Sequence, residues 1–160
     1  MVGTTLDFSG ETFGDIFVGY LSETYDYPRF DTIDGPSFGA DLSWNVSGLT
    51  TVTVSGRREV EPTTVAETAG RDVVRFGLGV DHELLRNLIL ELRGSTATED
   101  FDGTDREDTV RSARFSARYL MNRWIELEIA YRYTDRDVDP AIVGIGFSRH
   151  IYSLTLKGQL

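Results

Sequence analysis

The chain has 160 residues, of which 40% are hydrophobic and 26% charged, with a formal net charge of −10, 16 glycines and no cysteine. This length is typical of one domain, and the longest apolar runs fall far short of the roughly 20 residues that a membrane-spanning helix needs. The absence of cysteine excludes disulfides, thiolate metal sites and a cysteine nucleophile, and the acidic surplus argues against nucleic acid as a partner. A β-barrel remains compatible with these values, because its strands alternate apolar and polar residues.

A period of two in hydrophobicity recurs along the chain and predicts β-strands. In the clearest segment, Phe38 and Trp44 belong to an apolar parity, whereas Gly39 and Asp41 belong to a polar one. Seven further segments show the same alternation, so the sequence predicts eight strands. They lie near 13–24, 37–46, 49–58, 73–82, 88–98, 109–119, 124–134 and 147–159.

The connections between the predicted strands alternate in length. This alternation predicts an all-β, antiparallel up-and-down transmembrane β-barrel with an even strand count and both termini on the side of the short turns. The chain would then be a single domain over 1–160, with a C-terminal part of a larger barrel as the alternative. The short connections fall at 47–48, 82–87 and 121–123, and the long ones near 25–36, 59–72, 99–108 and 135–146.

Residues 82–93 have a competing interpretation, because local propensity alone predicts a helix there. The segment is rich in leucine, glutamate and arginine. We prefer a strand, because Leu88, Leu90 and Leu92 alternate with other side chains and a helix would leave an odd number of strands.

Charged side chains occupy the polar parity of the strands. In a membrane barrel this parity faces the lumen. There the charges would either guide an anionic solute or an exported polysaccharide through a pore or pair with one another in a filled interior. A closed eight-stranded barrel favours the ion-paired interior, and a wider barrel favours the pore. The predicted lumen-lining residues are Arg57, Arg75, Asp81, Glu91, Arg93, Arg114, Arg118, Glu126, Glu128, Arg132, Arg149 and Lys157.

The apolar parity decides between a membrane barrel and a soluble one. Aromatic residues gather near the strand ends with aliphatic residues between them, which is typical of the girdles of membrane barrels and predicts an outer-membrane location. The alternative is a soluble lipocalin-like binder of a small ligand, in which the apolar parity would face inward. The predicted lipid-facing girdle consists of Phe38, Trp44, Tyr119, Tyr131, Tyr133 and Tyr152.

The four long connections carry the negative excess of the chain, with 16 acidic residues against four arginines. Such a rim is expected to be solvated, and it is a candidate to hold divalent cations shared with the phosphates of lipopolysaccharide. Asp100, Asp102 and Asp105 form a weak metal candidate, because the segment lacks the full spacing of a calcium-binding loop.

Catalytic chemistry has little support in the sequence. Only His82 and His150 could serve as imidazole bases. Ser148 lies two residues from His150 on the same parity, which is similar to the serine and histidine of outer-membrane lipid deacylases, but no acid is identifiable as their partner. We therefore predict that the protein is not an enzyme and needs no cofactor.

Several blocks of the chain resemble, in order, the bacterial outer-membrane proteins of the putative β-barrel porin type 2 family. The resemblance covers most of the chain and implies an outer-membrane barrel and, for some members, an association with exopolysaccharide production. Members are usually longer and have a leader, with this kind of sequence in their C-terminal part. Two departures from the family stand out: no leader precedes Val2, and Leu160 stands where an aromatic residue is usual. The missing leader and the short length point to a truncated or engineered piece. The blocks are 35–44, 49–60, 80–87 and 122–127.

Overall fold

The computed structural model describes residues 2–7, 11–23, 33–62, 70–101, 103–138 and 145–158. These residues form one nine-stranded antiparallel sheet in which the strands follow one another in sequence order, so the predicted all-β up-and-down fold is confirmed. Within the described residues, no helix has the length and apolarity to cross a bilayer. The strands are β1 (Val2–Asp7), β2 (Thr12–Glu23), β3 (Ile33–Ser47), β4 (Thr50–Pro62), β5 (Gly70–Leu85), β6 (Leu88–Phe101), β7 (Glu107–Asn122), β8 (Ile125–Val138) and β9 (Phe147–Gly158).

All eight predicted strands are present as β2 to β9, and β1 is an addition. Its six residues include two threonines and a glycine, which blur the alternation that would have revealed it. Thr5 Oγ1 donates a hydrogen bond of 2.7 Å to Asp15 on β2. With nine strands, β1 begins at the end of the sheet where the long connections lie (the loop end), and β9 finishes at the end with the short turns (the turn end). The expectations of an even count and of termini on one side are therefore wrong for the described residues.

The strands also extend further than predicted. β5 continues to Leu85 and the turn occupies Arg86 and Asn87, so the connection predicted at 82–87 and the alternative helix over 82–93 are both wrong. Two leucines close the hairpin by pairing across this turn, and their pairing needs only a register shift next to Glu83. Cross-strand pairing therefore overrides the helical propensity of this segment.

The strands are staggered regularly across the sheet. One row of cross-strand partners passes through Ser43 on β3, Gly79 on β5 and Arg114 on β7. From this row to the last paired residue before the short turn there are four residues in β3, six in β5 and eight in β7. This shift of one residue per strand, with a rise of about 3.3 Å and a strand spacing of about 4.8 Å, inclines the strands by about 35°. Strands in membrane barrels are tilted by roughly 35 to 45°.

The sheet has two unpaired edges. Among the described residues, β1 pairs only with β2, and β9 pairs only with β8. The sheet therefore has the tilt of a barrel wall without being closed by these nine strands.

Candidate functional site: the polar face of the sheet

The sheet has a polar face and an apolar face, and the apolar face is the exposed one. Side chains such as Val18, Leu78 and Leu154 are 61%, 56% and 71% exposed. Very few hydrophobic residues are buried, and these are small or lie on the polar face. A soluble lipocalin-like barrel would bury the apolar face, so the structure does not fit that alternative. The buried hydrophobic residues of the described chain are Val73, Ala97, Phe101 and Ala130.

All six predicted girdle residues lie on the apolar face, at two main heights. Counted from the short turn of each hairpin, Trp44 and Tyr119 stand three residues away, whereas Phe38 and Tyr133 stand nine and eight residues away. Tyr131 is six residues from its turn, and its ring centroid lies 5.1 Å from that of Tyr152 on β9. Aliphatic side chains fill the interval, which gives the band of aromatic, aliphatic and aromatic residues that suits a bilayer.

Beyond the upper aromatic level, strands β5 to β8 continue toward the loop end with polar side chains on both faces. Thr98, Asp100, Arg111 and Asp135 stand on the former apolar face there, ten to twelve residues from the short turns. A face of this composition does not suit hydrocarbon, so this extension lies outside the apolar band.

A groove with a volume of about 610 Å³ runs along the polar face. Arg75, Arg93, Arg114 and Arg132 line it, together with several hydroxyl side chains. Gly79 gives Arg93 room to cross β5, because a Cβ atom at Gly79 would lie 2.8 Å from Arg93 Nη1. The groove is therefore a polar channel along the sheet with arginines in its wall.

Four arginines of this face stand at nearly the same height. Counted from the closing pair of each short turn, Arg57 and Arg132 are seven residues away, Arg93 is five and Arg114 is eight. We call these four residues the arginine row. Arg93 stands directly opposite Arg114, and Arg114 stands directly opposite Arg132. Like charges in these positions disfavour the pairing of the strands.

Three members of the arginine row have carboxylate partners. Arg57 Nη2 lies 2.9 Å from Asp41 Oδ2, and Arg93 Nη2 lies 2.7 Å from Asp81 Oδ2. Arg114 Nη2 pairs with Glu128.

Arg132 differs from the other three members. It is exposed and has no ion pair or hydrogen bond with any described residue. The arginine row therefore presents one uncompensated guanidinium to the groove.

The acidic residues of the polar face gather closer to the turn end. Arg118 Nη2 donates a hydrogen bond of 2.9 Å to Glu91 Oε1, and Lys157 Nζ lies 3.0 Å from Glu126 Oε1 and 3.3 Å from Glu128 Oε2. All twelve predicted lumen-lining residues lie on the polar face. Among them, Arg75 keeps a single contact of 3.4 Å with Glu61, and Arg149 lies over the ring of Phe147 with its Cζ 5.0 Å from the centroid.

A second charged group crosses β4 to β8 in the extension beyond the apolar band. In this ion belt Arg71 bridges Glu61 and Glu99 at 2.6 and 2.9 Å, and Arg136 bridges Glu99 and Asp108. Arg106 completes it with two hydrogen bonds to Asp108 of 2.9 and 2.7 Å. The ion belt consists of Glu61, Arg71, Glu99, Arg106, Asp108 and Arg136.

The ion belt covers the small buried core of the polar face. The side chains of Glu99 and Asp108 are 6% and 0% exposed, and Arg106 Cζ lies 4.5 Å from the ring centroid of the buried Phe101. Burial raises the pKa of Glu61, but hydrogen bonds and charge from Arg71 and Arg75 outweigh it and hold this pKa below its usual value. The expectation that the acids of the long connections are solvated is therefore wrong for these carboxylates, which are strand residues in ion pairs.

The weaker candidates are not brought together into sites. Asp100 and Asp105 are exposed, Asp102 lies outside the described residues, and within the part of the chain that is described no three potential metal ligands converge. His82 Nδ1 lies 2.9 Å from the hydroxyl of Thr50, and His150 Nδ1 lies 3.0 Å from that of Tyr131. Ser148 and His150 stand on the apolar face.

A tilted antiparallel sheet with an exposed apolar face, two aromatic levels and a charged groove is the wall of a transmembrane β-barrel of the outer membrane. The family model of putative β-barrel porin 2 matches residues 1–160, so the chain belongs to that family, and the predicted resemblance and outer-membrane location are confirmed. No curated protein matches the chain.

A solved structure shares the fold. It is OmpTdeltaL8, the loop L8 deletion mutant of OmpT, an outer membrane protein of Vibrio cholerae. The match has a TM-score of 0.63 at 10% sequence identity and covers 91% of this chain and 51% of that chain. The chain thus spans about half the length of the barrel that it matches.

Proposed function

We propose that this chain forms part of the wall of a non-enzymatic porin whose barrel is wider than eight strands, with the polar face lining a water-filled lumen. The observation that carries the proposal is the pair of unpaired edges, β1 and β9. Unpaired backbone N–H and C=O groups are not tolerated in hydrocarbon, so each edge needs a partner strand, and in the described residues β1 and β9 do not pair with one another.

The similarity to a barrel whose chain is about twice as long also supports a barrel wider than eight strands. A closed eight-stranded barrel has an interior that side chains fill, whereas barrels of 16 to 18 strands leave an aqueous channel.

An ion-paired interior is the second candidate. The contacts of Asp81, Glu91 and Glu128 with arginines support it, since charges that fill a narrow barrel must be paired. Export of an anionic polysaccharide, binding of divalent cations by the acidic long connections and contact with lipopolysaccharide stay predictions.

Conductance separates the two candidates. The protein is extracted from outer membranes in detergent, so that whatever completes the barrel stays with it, and is added to planar lipid bilayers. We expect discrete, long-lived openings, together with heat-modifiable migration in gels. A protein that is heat-modifiable but never opens would contradict the pore and support the ion-paired interior.

Cysteine cross-linking tests the width directly, because the natural chain has no cysteine. Single cysteines replace Gly3 or Thr5 on β1 and Ser153 or Thr155 on β9, all on the polar face. In a wider barrel the two edges are far apart, and no β1–β9 disulfide forms. A disulfide in any of these combinations would indicate a closed barrel of nine strands. The pair Ser95→Cys with Ser112→Cys is the positive control, because the two hydroxyls lie 2.8 Å apart.

A further inference from the structure

Two neighbouring strands carry a patch of four groups that suits an oxyanion. Arg114 pairs with Arg132 across β7 and β8, and in the adjacent polar-face row Ser112 pairs with Thr134. All four residues line the groove. Directly paired residues have their Cβ atoms about 5 Å apart, so two arginines and two hydroxyl residues form one cluster on this face of the sheet. We call these four residues the β7–β8 patch.

The local charge balance of the patch is positive. Glu128 is shared between Arg114 and Lys157, and Lys157 also contacts Glu126. These two carboxylates face three cations once Arg132 is included, and Arg132 has no partner among the described residues. An anion in the groove would therefore meet a net positive site.

Donors remain free in the patch. Arg114 uses only Nη2 in its pair with Glu128, and the Thr134 hydroxyl makes no hydrogen bond with a described residue. Ser112 exchanges a hydrogen bond of 2.8 Å with Ser95, in which either hydroxyl can donate. Guanidinium forks and hydroxyl donors together match the oxygens of phosphate and carboxylate groups.

The like-charge neighbours of the arginine row also need an explanation. Opposed arginines weaken strand pairing, and neither Arg114 nor Arg132 gains burial that would offset this cost. An anion between them would remove the repulsion. The arrangement is therefore better suited to binding a ligand than to stabilising the sheet.

We propose that the β7–β8 patch is a binding site for small oxyanions, phosphate or carboxylate, in the lumen wall. The proposal rests on the proposed pore, because solutes reach the groove from the lumen. Arg132 is the principal ligand, Arg114 is the second, and the hydroxyls of Ser112 and Thr134 complete the site.

The test measures binding and conduction separately on the protein extracted from outer membranes. Binding of inorganic phosphate, and of acetate in a parallel arm, is measured by calorimetry in detergent, and inhibition of chloride current by the same anions is measured in bilayers. We expect Arg132→Gln to weaken phosphate binding about fivefold, as loss of one charged hydrogen-bonding group at a solvated site does. Arg132→Lys keeps the charge but loses the fork, so its effect should be intermediate.

Arg111→Gln is the matched control, because Arg111 is an exposed arginine on the neighbouring strand β7 and on the opposite face. It changes the net charge equally and should leave phosphate binding unchanged. Equal phosphate affinity in the wild type and Arg132→Gln, or an equal loss in Arg111→Gln, would overturn the site. Binding without conduction would instead overturn the pore and leave the site in place. Stronger binding of acetate than of phosphate would assign the site to carboxylates, and the reverse would assign it to phosphates.

Discussion

The arginine row and the ion belt occupy the same face of the same sheet, yet their charges are arranged in opposite ways. In the ion belt every carboxylate contacts two arginines, and the carboxylate of Asp108 is fully buried between Arg106 and Arg136. In the arginine row, like charges stand opposite one another, and the carboxylate partners lie to one side. Charge on this face therefore has two roles, depending on the distance from the short turns.

The difference follows from what each region must hold together. The ion belt lies beyond the apolar band, where no lipid supports the strands, and it covers Val73 and Phe101. Carboxylates that are each paired with two arginines replace the missing apolar contacts there. The arginine row lies within the band, where lipid contact on the apolar face holds the strands, so its side chains are free to serve the groove.

The largest effect is expected when the ion belt is broken at its buried carboxylate. Asp108→Asn removes the charge that accepts two hydrogen bonds from Arg106 and one of 2.6 Å from Arg136. Removing one partner of a buried ion pair typically costs about 3 kcal/mol, because the remaining charges stay uncompensated. Urea unfolding of the protein in lipid or detergent, followed by tryptophan fluorescence, measures this loss.

Asp105→Asn is the control for that substitution, since Asp105 is an exposed aspartate in the connection just before β7. It should change the free energy of unfolding very little. If Asp108→Asn were no more destabilising than Asp105→Asn, the ion belt would have no structural role, and the contrast between the two regions would be lost.

A smaller effect is expected from acid. The pKa of Glu61 is lowered below 4.5 in the folded chain, so its ion pairs contribute stability that is fully present above the unfolded value and is lost as the pH falls through the folded value. The midpoint of urea unfolding should therefore decrease on acidification below about pH 4.5.

Glu61→Gln identifies the source of this acid sensitivity. The variant should be less stable than the wild type near neutral pH, and its unfolding midpoint should change less on acidification, because one of the titrating pairs is gone. An identical pH dependence in the variant and the wild type would show that Glu61 contributes nothing to the acid sensitivity.

The two regions also differ in how far they are predictable from sequence. The twelve predicted lumen-lining charges are all on the polar face, because a period of two assigns faces wherever a strand is correctly recognised. The ion belt was missed since the acids near 99–108 are typical of a loop. The available signal was that Ala97, Glu99 and Phe101 continue the polar-face parity of the strand, in alternation with polar residues at 98 and 100.

Strand β1 and the open edges could not be predicted for a different reason. Whether the first strand pairs with the last depends on contacts between residues far apart in sequence, and alternation within a strand carries no such information. The uncompensated charge of Arg132 is equally a property of its neighbours on β7 and β9, so parity alone places Arg132 on the right face without distinguishing it from Arg114.

The smallest effect on stability is expected from the same chemical change made beside the arginine row. Asp41→Asn removes the carboxylate that lies 2.9 Å from Arg57, but the two side chains are 55% and 48% exposed, and such a pair contributes less than about 1 kcal/mol. Asp41 also stands directly opposite Asp15 on β2, so the substitution removes one repulsion along with one attraction.

The consequence of Asp41→Asn should appear in ion selectivity instead. Arg57 keeps only its contact of 3.5 Å with Glu59, and the groove gains one net positive charge. The ratio of chloride to potassium permeability should therefore rise, as measured by reversal potentials in a salt gradient. The same change from aspartate to asparagine would then lower stability in the ion belt, at Asp108, and change ion selectivity beside the arginine row, at Asp41. A large loss of stability in Asp41→Asn with unchanged selectivity would mean that both regions serve the fold alone.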